Sequence, residues 1–261
     1  MRIAVFQFGS SEHIHCNLAA IKRAVAQAAE KNARLLVFHE CAACGYPPVE
    51  TDMRAIDFHV LNTSIAEVQK LAKEHAMYIA LGTIRKEDEK YFNSIVLIDD
   101  HGEMMGHYDK RALWGWDLDH FSKGNSLGIF EIDNTRIGFR ICFEIRFPEY
   151  FREMFKAKAD LCFVSFCDVA EQDSLDRYEM IKSHLKTRAV ENVMTVVSVN
   201  SISNFQTAPT AVFDINGKIA EETPKNIEYL LVYDYASPEM GFGARGRIQN
   251  SLDVLGLSAG I

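Results

Sequence analysis

Apolar and polar positions alternate between a strand period and a helix period from the start of the chain. Three short apolar runs predict buried strands at residues 2–8, 34–38 and 78–84. Between them, residues 17–31 and 61–76 carry apolar side chains at helical spacing, and Asn17 is predicted to cap the first helix. The first third of the chain therefore predicts two β-α units and a third strand.

Beyond residue 90, strands joined by turns dominate the pattern. Apolar runs of strand length lie at residues 92–99, 127–132, 136–142, 161–166, 195–200, 210–215 and 229–235. Pro148 opens a predicted helix that extends to about Lys158, and a longer helical pattern covers about residues 174–191. Residues 237–261 are rich in glycine and are predicted to be irregular.

This order of elements predicts an α/β protein with mixed sheets and helices on their outer faces. Hydrophobic residues make up 48% of the chain, which is enough to build a substantial core and excludes general disorder. No linker, repeat or low-complexity segment interrupts the pattern. We therefore expect a single domain over residues 1–261.

The charge balance argues against nucleic acid as a partner. The chain has 28 Lys and Arg residues against 36 Asp and Glu residues, for a net charge of −8. Proteins that bind nucleic acid usually carry a basic stripe, and the basic groups here are short, as at Lys110-Arg111. We expect no nucleic-acid partner.

Cysteine usage and hydropathy favour a reduced, cytoplasmic protein. Six cysteines could form three disulfides in a small secreted protein, but a chain of this size does not need them. The apolar run after Met1-Arg2 meets Gln7 at once, so we expect no signal peptide. No run approaches the roughly 20 apolar residues that cross a bilayer, so we expect no membrane span.

Two short motifs that resemble cofactor or metal sites are not expected to bind either group. Residues 241–246 match G-x-G-x-x-G, but a dinucleotide site also needs a preceding strand and a following helix, and a tail loop is predicted here. Residues 41–44 match C-x-x-C, which occurs in redox pairs and zinc sites, yet no second C-x-x-C exists. His13, His15 and Cys16 precede a helix start, where polar residues are ordinary. We expect neither a metal nor a cofactor.

Three residues lie where a strand ends and polar chemistry can begin. Glu40 follows the apolar run 34–38, where partial burial suits a general base. Lys110 follows a short strand, and Cys142 ends another at a turn before a helix, which can aim free backbone N–H groups at a nucleophile. Taken singly, each is also compatible with a solvated charge or a buried apolar cysteine.

Taken together, these residues and their neighbours resemble the nitrilase superfamily of carbon–nitrogen hydrolases. The resemblance rests on Glu40-x-x-x-x-Gly45-Tyr46, then Tyr108-x-Lys110, and then Gly138-x-x-Ile141-Cys142-Phe143-Glu144-Ile145-Arg146-Phe147-Pro148-Glu149. Further matches are Asn93-Ser94 before the lysine, Arg188–Asn192 and Asn200. It extends over most of the chain.

The resemblance implies a four-layer α-β-β-α sandwich with a Glu40–Lys110–Cys142 triad, and a homodimer or larger homo-oligomer. Cys142 is then the nucleophile towards a small-molecule amide, and Lys110 with the N–H of Phe143 stabilises the oxyanion. Glu40 is then the general base, which takes the thiol proton and later activates water. Two further residues are expected to be structural supports, Arg146 and Glu191.

The sequence departs from the family pattern near the triad. Many members carry a second Glu a few residues after the lysine, and here Asp119 stands in that place, with Asp117 nearby. We expect Asp119 to help position Lys110 or the substrate. The residue before the catalytic Glu is often Pro and is here His39, which is expected to influence the carboxylate.

The resemblance favours an amidase over a nitrilase. Members that hydrolyse nitriles often carry Trp after the cysteine and a longer C-terminal region, whereas this chain has Phe143 and ends at residue 261. Substrate-binding residues are expected beside the catalytic motifs, at Tyr46, Trp114, Trp116 and the loop 166–169 that begins with Phe166.

Other functions remain open at this point. Asp119 and His39 are compatible with a non-catalytic scaffold of the same fold. A nitrilase would use the same triad. An acyltransferase would share the first half-reaction and pass the acyl group to an amine instead of water. The residues themselves do not separate these alternatives.

Overall fold

A computed structural model describes residues 1–257 of the chain. The strands in this range are β1 (Arg2–Gln7), β2 (Leu35–Phe38), β3 (Tyr78–Glu87), β4 (Lys90–Ile98), β5 (Met104–Asp109), β6 (Ile129–Ile132), β7 (Thr135–Ile141), β8 (Leu161–Phe166), β9 (Val169–Ala170), β10 (Thr195–Asn200), β11 (Phe205–Gln206), β12 (Ala211–Phe213), β13 (Ile219–Glu222) and β14 (Tyr229–Asp234). The α-helices are α1 (Ile14–Glu30), α2 (Phe58–Glu74), α3 (Asp117–His120), α4 (Pro148–Lys156), α5 (Leu175–Asn192) and α6 (Phe242–Val254). Short 3-10 turns lie at Met53–Ala55 and Cys142–Arg146.

The strands form two six-stranded mixed sheets and one two-stranded ribbon. The first sheet has the order β14-β1-β2-β3-β4-β5, and the second has the order β13-β12-β10-β8-β7-β6. In each sheet the three central strands joined by helical crossovers are parallel, and hairpins add the antiparallel strands at the edges. The ribbon pairs β9 with β11.

Alternation of side chains along the buried strands creates the layers. Alternate residues of β1 and β2, such as Val5 and Val37, pack against Phe139 and Phe163 of the second sheet. The residues between them face α1 and α2 instead. In the second sheet the outer side chains pack against α4 and α5. The four-layer α-β-β-α sandwich predicted from the sequence is confirmed.

The core between the sheets is wholly apolar at its centre. The rings of Phe139 and Phe163 stack with centroids 5.8 Å apart, and neither is exposed to solvent. Burial of a side chain of this size contributes about 1.5–3 kcal/mol to stability. Both faces of β8 are buried, and its sequence is apolar except for Ser165, as expected for a parallel strand inside an α/β fold.

The parallel strands end at one edge of the sandwich. Glu40 follows β2, while Cys142 follows β7 and Cys167 follows β8. Polar groups at the carboxyl ends of parallel strands are free of the sheet ladder and converge on the same crevice. This edge therefore brings together residues that are more than 100 positions apart in the chain.

Two expectations about helices are wrong. Asn17 does not cap α1, which begins at Ile14; its buried side chain instead bonds both the N–H and the carbonyl of Ser11, which ties down the segment before the helix. The tail predicted to be irregular contains α6, whose Ala244 packs against Val193 and Ile215. Tertiary packing thus overrides the weak helix propensity of its glycines.

The geometry of α6 also explains why residues 241–246 are not a dinucleotide loop. Gly243 and Gly246 lie inside the helix rather than in a turn before it. All six cysteines are free thiols. In residues 1–257 the helices are all too short or too polar to cross a bilayer.

Candidate active site

Two of the three residues of the expected triad form a buried ion pair. The Nζ atom of Lys110 lies 2.9 Å from Oε1 of Glu40, and both side chains are almost completely buried. Lys110 begins the loop after β5, and its own N–H donates to the carbonyl of Asn93 on β4. The lysine therefore enters the site from the edge of the first sheet, while the glutamate enters from its centre.

A tight turn against β3 fixes the direction of Glu40. Cys41 follows it with a left-handed backbone (φ 52°), and the N–H of Ala43 donates to the carbonyl of Gly82 over 3.0 Å. A Cβ atom on Gly82 would lie 1.9 Å from the carbonyl oxygen of His39. Only glycine at this position lets the turn approach β3 so closely.

Three donors share the carboxylate of Glu40. Besides Lys110, Asn93 donates through Nδ2 to Oε1 over 2.7 Å, and the backbone N–H of Cys167 donates to Oε2 over 2.8 Å. A buried carboxylate is stable only when it is paired and hydrogen-bonded, and both conditions are met here.

Lys110 lies between two carboxylates. Its Nζ atom also donates to Oδ2 of Asp117 over 2.8 Å, and the other oxygen of Asp117 accepts from the hydroxyl of Tyr46 over 2.7 Å. Burial lowers the pKa of Lys110, but the charges of Glu40, Cys142 and Asp117 raise it by more. The net result is a pKa well above the usual value, so Lys110 is a permanent cation.

The expectation for Asp119 is wrong, and Asp117 takes the place assigned to it. Asp117 is fully buried against Lys110, whereas Asp119 is exposed on the outer side of α3. Residues two apart in a helical turn point in nearly opposite directions, so only one of the two carboxylates can reach the lysine. The sequence predicted that both aspartates lie near Lys110, but nothing in it indicated which of the two contacts the lysine.

Cys142 sits on a strained elbow at the end of β7. Its φ of +45° is left-handed, a conformation that non-glycine residues seldom adopt and that is often found at functional sites. The 3-10 turn Cys142–Arg146 begins here. The N–H of Phe143 lies in its first turn, where the turn itself supplies no acceptor, so it is available to an anion.

Glu144 holds this elbow in place, although sequence analysis assigned it no role. Its Oε2 accepts from the N–H of Ile141 over 2.7 Å, and Oε1 accepts from the hydroxyl of Tyr108 and the N–H of Arg111 over 2.7 Å each. Glu144 thereby connects the elbow to the segment that carries Lys110. Its position two residues after the nucleophile was the only available signal.

Arg188 supports the elbow from the helix side. The guanidinium of Arg188 donates twice to the carbonyl of Ile145, over 3.1 and 2.9 Å, and is itself paired with Glu191 over 2.9 Å. Arg146 lines the cavity and also contacts α5, where its Nη1 lies 3.2 Å from Sδ of Met180 and 3.5 Å from Nε2 of His184. These contacts between the elbow and α5 are compatible with the structural role predicted for Arg146.

The environment of Cys142 favours the protonated thiol. Burial raises its pKa most, the charge of Glu40 raises it further, and Lys110 lowers it. The net pKa is well above the usual value for a thiol. A nucleophilic thiolate therefore requires a base at hand, and Glu40 is the carboxylate beside it.

A small cavity of about 140 Å³ opens above Cys142. Tyr46 and Trp114 line it as expected, and Phe143, expected to act through its backbone N–H, is also in the lining. The remaining lining residues are Val49, Lys110, Ile145, Arg146, Cys167, Asp168, Val169, Arg177 and Ile181.

The substrate-binding expectations for Trp116 and Phe166 are not met. Trp116 lies outside the lining and stacks on His120, with ring centroids 3.7 Å apart. Phe166 is the last residue of β8 and is buried among the apolar side chains under α5. The lining comes from the following residues, Cys167–Val169, since side chains alternate between the faces of a strand.

An ion pair forms one wall of the cavity. Arg177 at the start of α5 donates through Nε and Nη2 to both oxygens of Asp168, over 2.7 and 2.8 Å. Thr207 and Asn200 bond the side chain and backbone of Asp168. The charge of Arg177 is therefore neutralised within the wall.

His39 faces away from the carboxylate of Glu40. Its ring lies 4.7 Å from that of Phe8, and Nδ1 is 3.1 Å from the carbonyl oxygen of Glu40. Burial lowers the pKa of His39, so the imidazole is neutral. Residues 1–257 contain no group of three or more His, Cys, Asp or Glu side chains arranged to hold a metal ion.

The chain matches a known protein family over most of its length. The family model described as carbon-nitrogen hydrolase matches residues 2–242. The chain belongs to the carbon–nitrogen hydrolase family. The family expected from the sequence is confirmed, and this carbon–nitrogen hydrolase carries Glu40, Lys110 and Cys142 at the places where the family motif was found in the sequence.

Curated relatives of this hydrolase include amidases and, at lower identity, proteins named as nitrilases. It is 30% identical to the 2-oxoglutaramate amidase of Bacillus subtilis, over 65% of this chain and 64% of that protein. It is 27% identical to the N-carbamoylputrescine amidase of Arabidopsis thaliana, over 77% of this chain and 70% of that one. The match to the Bacillus enzyme thus spans less than two thirds of that enzyme's length.

Solved structures share the fold over nearly the whole chain. A cysteine-to-alanine mutant of the amidase from Nesterenkonia sp. AN1, in complex with butyramide, superposes with a TM-score of 0.84 at 22% identity. The match covers 98% of this chain and 95% of that one. Another structure of the same amidase carries the acetamide moiety of fluoroacetamide on its active-site cysteine.

The raised pKa of Cys142 predicts a steep pH dependence of its alkylation. Below the pKa, each pH unit multiplies the thiolate fraction by about ten, so labelling by iodoacetamide should rise about tenfold per unit between about pH 7 and 9. Peptide mapping of the native protein measures the rate. The buried Cys162 should stay unlabelled and reports on unfolding; a Cys142 rate already level at pH 7 contradicts the prediction.

Proposed function

We propose that this protein hydrolyses a small amide through a thioester on Cys142 and releases ammonia. The observation that carries the proposal is the buried pair of Glu40 and Lys110 next to Cys142, with Lys110 and Cys142 lining one cavity. A nucleophile, a base and a fixed cation placed together at one pocket are the groups that acyl transfer needs. No metal or cofactor takes part in the proposed mechanism.

In the first half-reaction Glu40 takes the proton of the Cys142 thiol as sulfur attacks the amide carbon. Negative charge then develops on the amide oxygen. The cationic Nζ of Lys110 and the free N–H of Phe143 are the donors for it, and both are fixed before the substrate binds. Collapse of the intermediate transfers the proton from Glu40 to the departing nitrogen, which leaves as ammonia.

In the second half-reaction water replaces ammonia. Glu40 removes a proton from the water, which attacks the thioester carbon, and the same oxyanion donors act again. The acid product leaves, and Cys142 recovers its proton. The raised pKa of Cys142 suits this step, because the departing thiolate is then basic enough to take the proton back from Glu40. The enzyme thereby returns to its neutral resting state.

The cavity supports a short substrate that carries a negative charge. Among residues 1–257, Arg146 has no carboxylate within ion-pair distance, unlike the neighbouring Arg177. An unpaired guanidinium in a small pocket is suited to bind a carboxylate at the far end of the substrate. An amide of a dicarboxylic acid has this form, and one relative is named a 2-oxoglutaramate amidase.

We further propose that the catalytic unit is a single domain that forms a homodimer in the cytoplasm. Free thiols throughout the chain are compatible with a reducing compartment. Leu175 and Met180 leave apolar surface exposed on α5, the kind of surface that oligomers bury. Sedimentation of the purified protein measures the oligomeric state.

The decisive test is ammonia release from a panel of amides, nitriles and carbamoyl compounds. Replacement of the nucleophile in Cys142→Ala should lower kcat by at least about a thousandfold, because the covalent step has no substitute. Cys16→Ala, at an exposed thiol on α1, is the matched control and should keep full activity. Full ammonia release by Cys142→Ala would falsify the proposal.

The same panel separates the alternatives. Hydroxylamine added beside water traps the acyl group, and a hydroxamate formed in preference to the acid would identify an acyltransferase. Activity on nitriles alone would identify a nitrilase. A fully folded protein that turns over no compound in the panel and leaves no acyl group on Cys142 would support the scaffold instead.

The two aspartates of α3 should differ in their effect on activity when each is replaced. Asp117→Asn removes one of the two charges that hold Lys110, so kcat/KM should fall by about a hundredfold or more. Asp119→Asn changes only an exposed carboxylate and should stay within about twofold of wild type. Steady-state kinetics measures both variants. A larger loss in Asp119→Asn than in Asp117→Asn contradicts the assignment.

Arg146 should discriminate between acidic and neutral amides. Loss of one charge-assisted pair in Arg146→Gln should lower kcat/KM for succinamate by about tenfold to a hundredfold, and that for butyramide by less than about threefold. Arg54→Gln, at an exposed site outside the pocket, is the control. Equal losses on both amides would mean that Arg146 supports the elbow and does not bind the carboxylate.

A further inference from the structure

We propose that Cys167 is the resolving partner of Cys142, so that a peroxide converts the two thiols into a disulfide within the pocket. Cys167 has no side-chain role in the proposed hydrolysis, where only its backbone N–H takes part. Its thiol nevertheless lies in the lining of the same cavity as the nucleophile. Formation of the proposed disulfide would give this second thiol a role.

The register of the second sheet brings the two cysteines together. Strands β7 and β8 are parallel neighbours in which Ile141 is paired with Ser165. Cys142 and Cys167 are the first residues after these two strands, one and two positions beyond this last pair. Neighbouring strands lie about 4.8 Å apart and rise about 3.3 Å per residue, so an offset of one residue between adjacent strand ends corresponds to Cα atoms on the order of 6 Å apart.

This separation is within the range that disulfides span, about 4.4–6.8 Å between Cα atoms. Both side chains also point into the same space, since Cys142 and Cys167 line one cavity and both adjoin Glu40. Burial raises the pKa of Cys167 most, the carboxylates of Glu50 and Glu40 raise it further, and a thiolate on Cys142 would raise it again. The two thiols therefore lie close enough to affect each other electrostatically.

The other cysteines are less suited to this role. Cys41 and Cys44 have no solvent exposure and lie outside the cavity lining. Cys162 is in the core beneath α4 and α5, and Cys16 is exposed on α1. Cys167 is thus the one thiol that shares the cavity with Cys142 in the described part of the chain.

The chemistry balances with hydrogen peroxide as the oxidant. The sulfur of Cys142, once its proton has passed to Glu40, attacks one peroxide oxygen; the O–O bond breaks, and the departing hydroxide takes a proton to become water. Cys142 is then a sulfenic acid. The Cys167 sulfur attacks it, the S–O bond breaks, and a second water leaves. Two thiols lose two electrons in total, and one peroxide gains them.

The disulfide has two consequences for the enzyme. It blocks the nucleophile, so hydrolysis stops while the bond persists. It also removes the sulfenic acid before further peroxide can carry Cys142 to the irreversible sulfinic acid. Reduction by a dithiol restores both thiols, so inactivation by peroxide should be reversible in the wild type.

Mass spectrometry of the full-length protein tests the proposal directly. After treatment with peroxide in slight excess and blocking of free thiols, peptide mapping should detect a Cys142–Cys167 cross-link that dithiothreitol removes. In Cys167→Ala the same treatment should leave sulfinic acid on Cys142. The fraction of each variant's own activity that dithiothreitol restores should be at least about fivefold lower than in wild type.

Controls keep the outcome independent of hydrolysis and folding. Cys16→Ala should behave as wild type in both assays, and Cys142→Ala should form no cross-link at Cys167. Thermal unfolding of Cys167→Ala establishes that it is folded. The cross-link is detected without any substrate, so a failure to hydrolyse amides would leave this test intact.

Three results would overturn the proposal. One is sulfinic acid on Cys142 of the wild type without any cross-link to Cys167. Another is a cross-link from Cys142 to Cys41 or Cys44 instead. Equal recovery of activity by wild type and Cys167→Ala would likewise show that Cys167 does not resolve the oxidised nucleophile.

Discussion

The site depends on one buried cation held between two buried carboxylates. Lys110 bonds Glu40 and Asp117 within 2.9 Å, and all three side chains are at most 1% exposed. Removing such charges from water costs several kcal/mol per ion unless pairing and hydrogen bonds offset it. Here Asn93 and Tyr46, with the backbone of Cys167, satisfy the remaining carboxylate oxygens. The cluster is therefore stable only when four separate segments of the chain are correctly placed.

This charge arrangement also determines how the thiol works. Two carboxylates and one ammonium leave a net negative charge beside Cys142, which, together with burial, opposes a resting thiolate. The proton must then leave as the sulfur attacks, and Glu40 is placed to receive it. Lys110 stabilises an oxyanion on the substrate more than it stabilises the thiolate, since its charge is fixed in place before the reaction begins. The enzyme thus keeps its nucleophile neutral until a substrate arrives.

Sequence reasoning predicted those parts of the fold that are local or periodic. The apolar runs identified the buried strands, and the ends of those strands identified Glu40, Lys110 and Cys142. It failed where a side chain's direction depends on packing between distant segments. Asp117 and Asp119 differ only by half a turn of α3, and Phe166 differs from Cys167 by one step of a strand. In the same way, α6 forms because Ala244 finds a partner in Val193, which the local sequence does not show.

The position of Cys167 shows how one backbone constraint can serve two purposes. Its N–H must point at Glu40, and any residue other than proline can supply that bond. The side chain at this position is therefore free to vary as far as the carboxylate is concerned. Because β7 and β8 are neighbouring parallel strands, the first residues after them line the same cavity. A cysteine at this point adds a thiol within reach of Cys142, at a place where the proposed hydrolysis needs only a backbone amide.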